Sequence, residues 1–240
     1  NYAFMALLRA LGYHGYLMSK GIPFESLQAR LTNKQIFKRF GEAARLASKK
    51  LAAERGVPLD GGEQRNSYVT SIQPTASTAF LCGEATPSIE PVAGNAFLQK
   101  TLSGSFLVKN KYLEALLEKK GMNTSEAWQQ IIATKGSLQY LEGLTDEEKT
   151  LFRTAYEMNM REIVQQAADR QPWIDQAQSL NVFFQTPVSG KYMHDVHFLA
   201  WKLGVKSLYY LRSSAPIEAD KISMKSEKRN LDTEECAVCQ

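Results

Sequence analysis

From Leu180 to Leu211 the sequence runs strand, helix, strand with short connections, and no other feature limits the fold so sharply. Leu180-Asn181-Val182-Phe183-Phe184 is a short apolar, β-rich run, and residues 190 to 203 carry helical spacing closed by Gly204. Val205 to Leu211 reads as a second strand. Two strands joined through a helix pair side by side in parallel, by a right-handed crossover, because a hairpin turn cannot span that connection. The predicted fold class is therefore α/β.

Upstream, apolar positions from Phe24 to Gly56 (Leu27, Leu31, Phe37, Phe40, Ala44, Ala47, Leu51) predict one long amphipathic helix stopped by Gly56 and Pro58. A Gly-rich connector leads to Ser67-Tyr68-Val69-Thr70-Ser71-Ile72, whose alternation predicts a strand ended by Pro74. Residues 111 to 120 and 125 to 134 read as helices, the first entered through Asn110 and closed by Gly121. Thr145-Asp146-Glu147-Glu148 is a capping box, and a single helix is predicted from there to Pro172. Residues 216 to 235 are half charged and nearly free of aromatics, a composition that buries too little to offset ordering entropy. The chain thus divides into a folded part, 1–212, and a polar tail, 213–240.

Composition removes several function classes. With 240 residues and 44% hydrophobic content, the chain can bury a core. The net charge of +4 is spread among acidic residues instead of forming a basic stripe, which argues against a nucleic-acid groove. The most apolar stretch, residues 1 to 18, is broken by Arg9, Gly12, His14 and Gly15, so neither a membrane span nor a secretory signal is expected. The sequence opens on Asn1, which leaves a cut, a processed end and a trimmed start all open. Only Cys82, Cys236 and Cys239 are present, too few for a disulfide framework, so a reducing cytoplasmic setting is expected.

Four clusters could carry chemistry. Gln73-Pro74-Thr75-Ala76-Ser77-Thr78 gathers hydroxyls and backbone amides where a strand ends; it is either an ordinary polar turn or a phosphate cradle that works without lysine. Tyr209-Tyr210 suits a strand, yet neighbouring phenols also suit one-electron relay if each hydroxyl proton has a partner. Adjacent strand residues point to opposite faces, so a stacked pair needs a strand end or distortion there. Cys236-Ala237-Val238-Cys239 reads as a redox dithiol on a flexible tether, with a zinc site formed with His194 and His197 as the alternative. His194 and His197 themselves read as helix-surface residues, and Cys82 as a small buried residue without a role.

The order of these blocks, Arg65-Asn66-Ser67, Pro74-Thr75-Ala76-Ser77-Thr78-Ala79, Ser88-Ile89-Glu90-Pro91 and Leu102-Ser103-Gly104-Ser105-Phe106, resembles the ribonucleotide reductase large subunit. The similarity continues through Pro23-Phe24-Glu25-Ser26, Asn33-Lys34-Gln35-Ile36-Phe37, Asp175 to Asn181 and His197-Phe198-Leu199-Ala200-Trp201-Lys202, so it covers essentially the whole chain. One departure is the Val57 to Gln64 connector, shorter than the family's usual stretch. The resemblance implies the C-terminal part of a ten-stranded β/α barrel. It further implies that Thr75, Ala76, Ser77 and Thr78 grip the diphosphate of a ribonucleoside diphosphate and that Tyr209 and Tyr210 pass a radical. Cys236 and Cys239 would re-reduce the active-site disulfide, recharged by thioredoxin or glutaredoxin.

The same resemblance places the radical cysteine, its Glu and Asn, and the allosteric nucleotide sites in a preceding polypeptide, so this chain alone is expected to be inactive. The radical would come from a small subunit containing metal, and no cofactor would bind this chain directly. An adenosylcobalamin-dependent relative and a non-enzymatic nucleotide-phosphate-binding module are the alternatives.

Overall fold

The computed structural model describes residues 10–59, 61–83, 86–101 and 104–214. Helix α1 spans Tyr13–Ser19 and α2 spans Leu27–Arg55. The second starts where Ser26 Oγ accepts the Ala29 amide at 3.1 Å, and it ends at Gly56, whose φ of 77° few side chains tolerate. Arg65 caps that end by donating to the carbonyls of Arg55 and Gly56 at 3.2 and 3.1 Å, which gives the Arg65-Asn66 motif a structural task. A short helix α3, Ala76–Leu81, follows, and strands β1 (Ala96–Thr101) and β2 (Gly104–Lys109) form an antiparallel hairpin. That hairpin was not foreseen, because its strands do not alternate cleanly: Phe97, Leu98, Phe106 and Leu107 are all exposed.

Helices α4 (Lys111–Lys119) and α5 (Ser125–Ala133) match expectation, with Asn110 and Thr124 as N-caps. The single helix expected from Thr145 to Pro172 is broken. The capping box at Thr145 holds, but α6 runs only over Asp146–Leu151. A 3₁₀ turn at Ala155–Glu157 then carries a second capping box, Thr154 with Glu157, and α7 begins afresh at Met160–Arg170 under an Asn159 cap. Two more cap-forming residues within the run outcompete helix continuation.

Strand β3 (Val182–Gln185), helix α8 (Gly190–Lys202) and strand β4 (Leu211–Ser214) form the expected unit, with β3 and β4 parallel. The predicted strand over Val205 to Leu211 is displaced, since its regular pairing begins only at Leu211. The predicted strand at 67–72 is extended but narrowly paired: Ile72 bridges Gln178 in parallel, Gln176 N donates to Thr70 O at 3.1 Å, and Ser179 N donates to Ile72 O at 3.0 Å. Side chains extend the same pairing, as Val69 N donates to Asp175 Oδ2 at 2.8 Å and Asp175 N donates to Thr70 Oγ1 at 2.9 Å.

The main core joins α1, α2, α7, β3 and α8 around Leu17, Phe24, Phe37, Met160, Phe184 and Val196, and a second core gathers α4 and α5 around Leu113, Leu117, Trp128 and Ile131. Burying each large apolar chain is worth about 2–3 kcal/mol, so these clusters outweigh any single polar contact. Gly41 allows α2 to approach the 171–173 turn, since a Cβ there would lie 2.8 Å from the Trp173 carbonyl. Among the described residues no helix is long and apolar enough to cross a membrane.

His14 lies wholly buried in this core. Its Nδ1 accepts the Val92 amide at 3.0 Å, so the proton of the neutral ring sits on Nε2, and the ring meets Phe24 edge-on with centroids 5.2 Å apart. Burial pulls its pKa from 6.5 to about 3. Below pH 6.5 the unfolded chain takes up a proton that the folded chain refuses, so the associated stability is intact above pH 6.5 and drains as pH falls toward 3. Between pH 7 and 5, urea titrations should show a loss about 2 kcal/mol larger for the wild type than for His14→Asn. Equal losses would remove His14 as the source.

Candidate active site

Thr75 ends the extended segment and adopts a left-handed backbone, φ 50°, and Ser88 does the same at φ 51°. Neither is glycine, so each conformation costs on the order of 1 kcal/mol and is held by its surroundings. The two are joined directly, because Ser88 N donates to Thr75 Oγ1 at 2.7 Å. The Thr75 carbonyl accepts from Ala79 N at 2.9 Å, which starts α3. By helix geometry the amides of Ala76, Ser77 and Thr78 have no acceptor inside the helix. The sequence-predicted turn is therefore the entry of a short helix. Cys82, just past α3, is exposed and not buried as expected; the helix ends too soon to carry it under cover.

Tyr209 and Tyr210 stand side by side. Their ring centroids are 4.0 Å apart with planes at 46°, and Tyr209 donates its phenolic hydrogen to the Tyr210 oxygen across 3.2 Å. They precede β4, so the strand alternation that would have sent them to opposite faces has not begun. Backbone bonds nevertheless fix both residues: Tyr209 N donates to Leu180 O at 2.8 Å and Val182 N donates to Tyr210 O at 2.9 Å. The hydrogen bond to Tyr210 raises the Tyr209 pKa, so its proton is held tightly in the ground state. Arg212 places its guanidinium 5.4 Å from the Tyr210 ring centroid, a cation–π contact.

The two clusters are linked by residues 86–92. Thr86 Oγ1 accepts from Gly15 N, Ser88 N reaches Thr75, the Glu90 carboxylate reaches Asn181, and Val92 N reaches His14. Ser88-Ile89-Glu90-Pro91 and Asn181 lie in blocks that carry the resemblance, yet the resemblance assigns them no part in the site. The contact of Glu90 with Asn181 spans 91 positions of sequence and leaves no local signature.

Cys236 and Cys239 lie outside the described residues, so the tail dithiol and the His194–His197–cysteine zinc alternative are not seen. Of the two histidines, His194 stacks on Phe198 and His197 Nδ1 lies 2.7 Å from Met193 O, as expected for helix-surface residues. Among the described residues no group of three or more His, Cys, Asp or Glu could hold a metal ion.

Residues 59–211 match the family model of the ribonucleotide reductase barrel domain. The ribonucleoside-diphosphate reductase large subunit of Invertebrate iridescent virus 6 is 40% identical over 220 residues, covering 89% of this chain and 23% of that protein. Its counterpart in Invertebrate iridescent virus 3 is 39% identical, covering 96% and 38%. Among solved structures, the Actinobacillus ureae class Id ribonucleotide reductase alpha subunit superposes with a TM-score of 0.78 at 40% identity, covering 85% of this chain and 38% of that one. The chain thus spans two fifths or less of the length of these proteins.

Proposed function

The chain belongs to the ribonucleotide reductase large-subunit family, and on that premise we propose that it supplies the substrate-phosphate loop and radical-entry segment of a class I enzyme. That enzyme reduces ribonucleoside diphosphates to deoxyribonucleotides. The observation that carries this reading is the contact between Tyr209 and Tyr210: two phenols at van der Waals distance, one hydrogen-bonded to the other, allow an electron and a proton to move together. A barrel enzyme fed by adenosylcobalamin has no need of such a pair.

In this reading the chain completes a ten-stranded barrel with the rest of the large subunit, which holds the radical cysteine and the allosteric sites. A small subunit containing metal delivers the oxidising equivalent to Tyr209 and Tyr210. Thr75, Ala76, Ser77 and Thr78 hold the substrate diphosphate through hydroxyls and the amides at the start of α3. Cys236 and Cys239 return two electrons to the active site after each turnover and are themselves reduced by thioredoxin or glutaredoxin.

The substrate assignment is tested by Ser77→Ala and Thr78→Ala in the assembled enzyme. Each removed hydrogen bond to a charged phosphate costs about 1.5–3 kcal/mol, so nucleoside-diphosphate affinity should fall roughly 10- to 100-fold per substitution. Equilibrium binding of a ribonucleoside diphosphate measures this, and unchanged affinity in both variants would remove the loop from the substrate site.

A further inference from the structure

We propose that Glu90 and Asn181 are positioning residues for the tyrosine pair: Glu90 orients the Asn181 amide, which in turn holds the backbone of Tyr210 so that both phenol rings share one face. The inference rests on the radical-transfer reading above, but its geometry is independent of it.

The Glu90 carboxylate accepts twice from one residue, from Asn181 N at 2.6 Å and from Asn181 Nδ2 at 2.9 Å. Asn181 Oδ1, turned the other way, accepts from Tyr210 N at 3.1 Å. An asparagine amide has one accepting and one donating side, and the carboxylate, which only accepts, selects the same orientation as the Tyr210 N–H, which only donates. Asn181 is buried, so a flipped amide would set its NH₂ against the Tyr210 N–H without water to relieve the conflict. Burial also raises the Glu90 pKa, while the two Asn181 donors oppose that shift and favour the carboxylate. A surface chain packing loosely against Asn181 would not need this arrangement. The other side of the same segment reaches the phosphate loop through Ser88 and Thr75, so the clamp ties the tyrosine pair to the substrate cradle.

The donor pattern yields a reciprocal test. In Glu90→Gln, the new oxygen must remain opposite Asn181 N, because a backbone amide cannot turn around. The new NH₂ therefore faces Asn181 Nδ2, Asn181 flips, and Tyr210 N–H meets a donor. In Asn181→Asp, two carboxylates face each other. Combining the substitutions restores every bond with the charge moved across the clamp, since the carboxylate at 181 accepts from the amide at 90 on one side and from Tyr210 N–H on the other.

Each single variant in the assembled enzyme should lose roughly tenfold or more in kcat, with substrate affinity within about twofold, and the double variant should recover to within about threefold of wild type. A second readout needs no radical: 3-fluorotyrosine introduced at position 210 should give a ¹⁹F resonance that moves toward the solvent-exposed value in each single variant and returns in the double. The comparison of double with single variants separates the clamp from a plain loss of stability, and recovery of both signals supports the clamp. Wild-type kcat in Glu90→Gln, or a double variant that recovers neither kcat nor the resonance, overturns it. If Tyr209→Phe and Tyr210→Phe turn over normally, the radical-transfer reading fails instead, and the ¹⁹F series alone judges the clamp.

Discussion

Tyr209→Phe and Tyr210→Phe are each expected to drop deoxynucleotide formation below roughly 1% of wild type, before the first turnover is complete, because phenylalanine has no ionisable hydroxyl to couple with electron loss. The rings and most of their packing survive. Both side chains are close to half exposed and their mutual hydrogen bond is a surface one, so the change in folding stability should stay near 1 kcal/mol or less. Cys236→Ser with Cys239→Ser should fail differently: radical entry is intact, product equivalent to a first turnover forms, and only then does the enzyme stall with thioredoxin. A small dithiol able to enter the site should restart it, since the missing step is attack by a thiolate. Single-turnover product analysis in the assembled enzyme separates the two. Normal turnover by the phenylalanine variants would falsify the class I relay and return the adenosylcobalamin alternative, and normal cycling by the serine variant with thioredoxin would exclude the tail dithiol.

The strand–helix–strand unit at the C-terminal end was legible because its information is local: a β-rich apolar run, a helix closed by Gly204, and the rule that such a connection joins parallel strands. The same locality served Asn110 and Thr145, whose capping bonds are made within three residues. It misled over 145–172, where hydrophobic spacing continues through Thr154 and Asn159 although each caps a new turn. The Thr154–Glu157 spacing was a readable signal and should have divided that helix. Strand limits were weaker still. Tyr209 and Tyr210 have good β propensity but take their hydrogen bonds from Leu180, Asn181 and Val182, and only pairing partners fix where regular alternation begins.

What the sequence could not disclose is which distant residues hold the site. Glu90 with Asn181, His14 with the Val92 amide and Asn33 with the Gln166 carbonyl are contacts across 78 to 133 positions, and Glu90, His14 and Asn33 are ordinary polar residues until the fold brings their partners. The resemblance supplied roles for Thr75 to Thr78 and for the tyrosines, while the structure adds the segment from Thr86 to Val92 that joins them. Residues to which the resemblance gives a role were therefore easier to name than the distant residues that contact them.

Arg170→Ala should cost about 3–5 kcal/mol of stability, as much as truncating a buried phenylalanine of the main core. Arg170 is the last residue of α7 and is 2% exposed, yet it forms no ion pair among the described residues. Burial pulls its pKa down to about 10 while Tyr13, Glu90 and Asp169 oppose that shift, so the guanidinium stays charged at neutral pH. Its compensation is polar and local. Nε donates to Gln178 Oε1 at 2.6 Å, Nη1 lies 3.4 Å from Asn33 Oδ1, and the guanidinium sits 5.7 Å from the Phe37 ring centroid. Its place at the carbonyl end of α7 adds a favourable helix-dipole contribution. Gln178 meanwhile donates to Ala167 O and Gln171 Oε1 and bridges Ile72, so Arg170 secures the residue on which the pairing of the extended segment depends. Truncation to alanine removes the stem that fills the core and leaves two buried acceptors without a donor. Arg170→Met keeps most of the volume and relieves the buried charge, so its loss should be about 1–3 kcal/mol, the cost of the orphaned acceptors alone. Urea midpoints with unchanged m-values measure both. A cost below about 1 kcal/mol for alanine would show that the network tolerates losing its centre, and a methionine variant as unstable as alanine would locate the whole effect in the hydrogen bonds and none in packing.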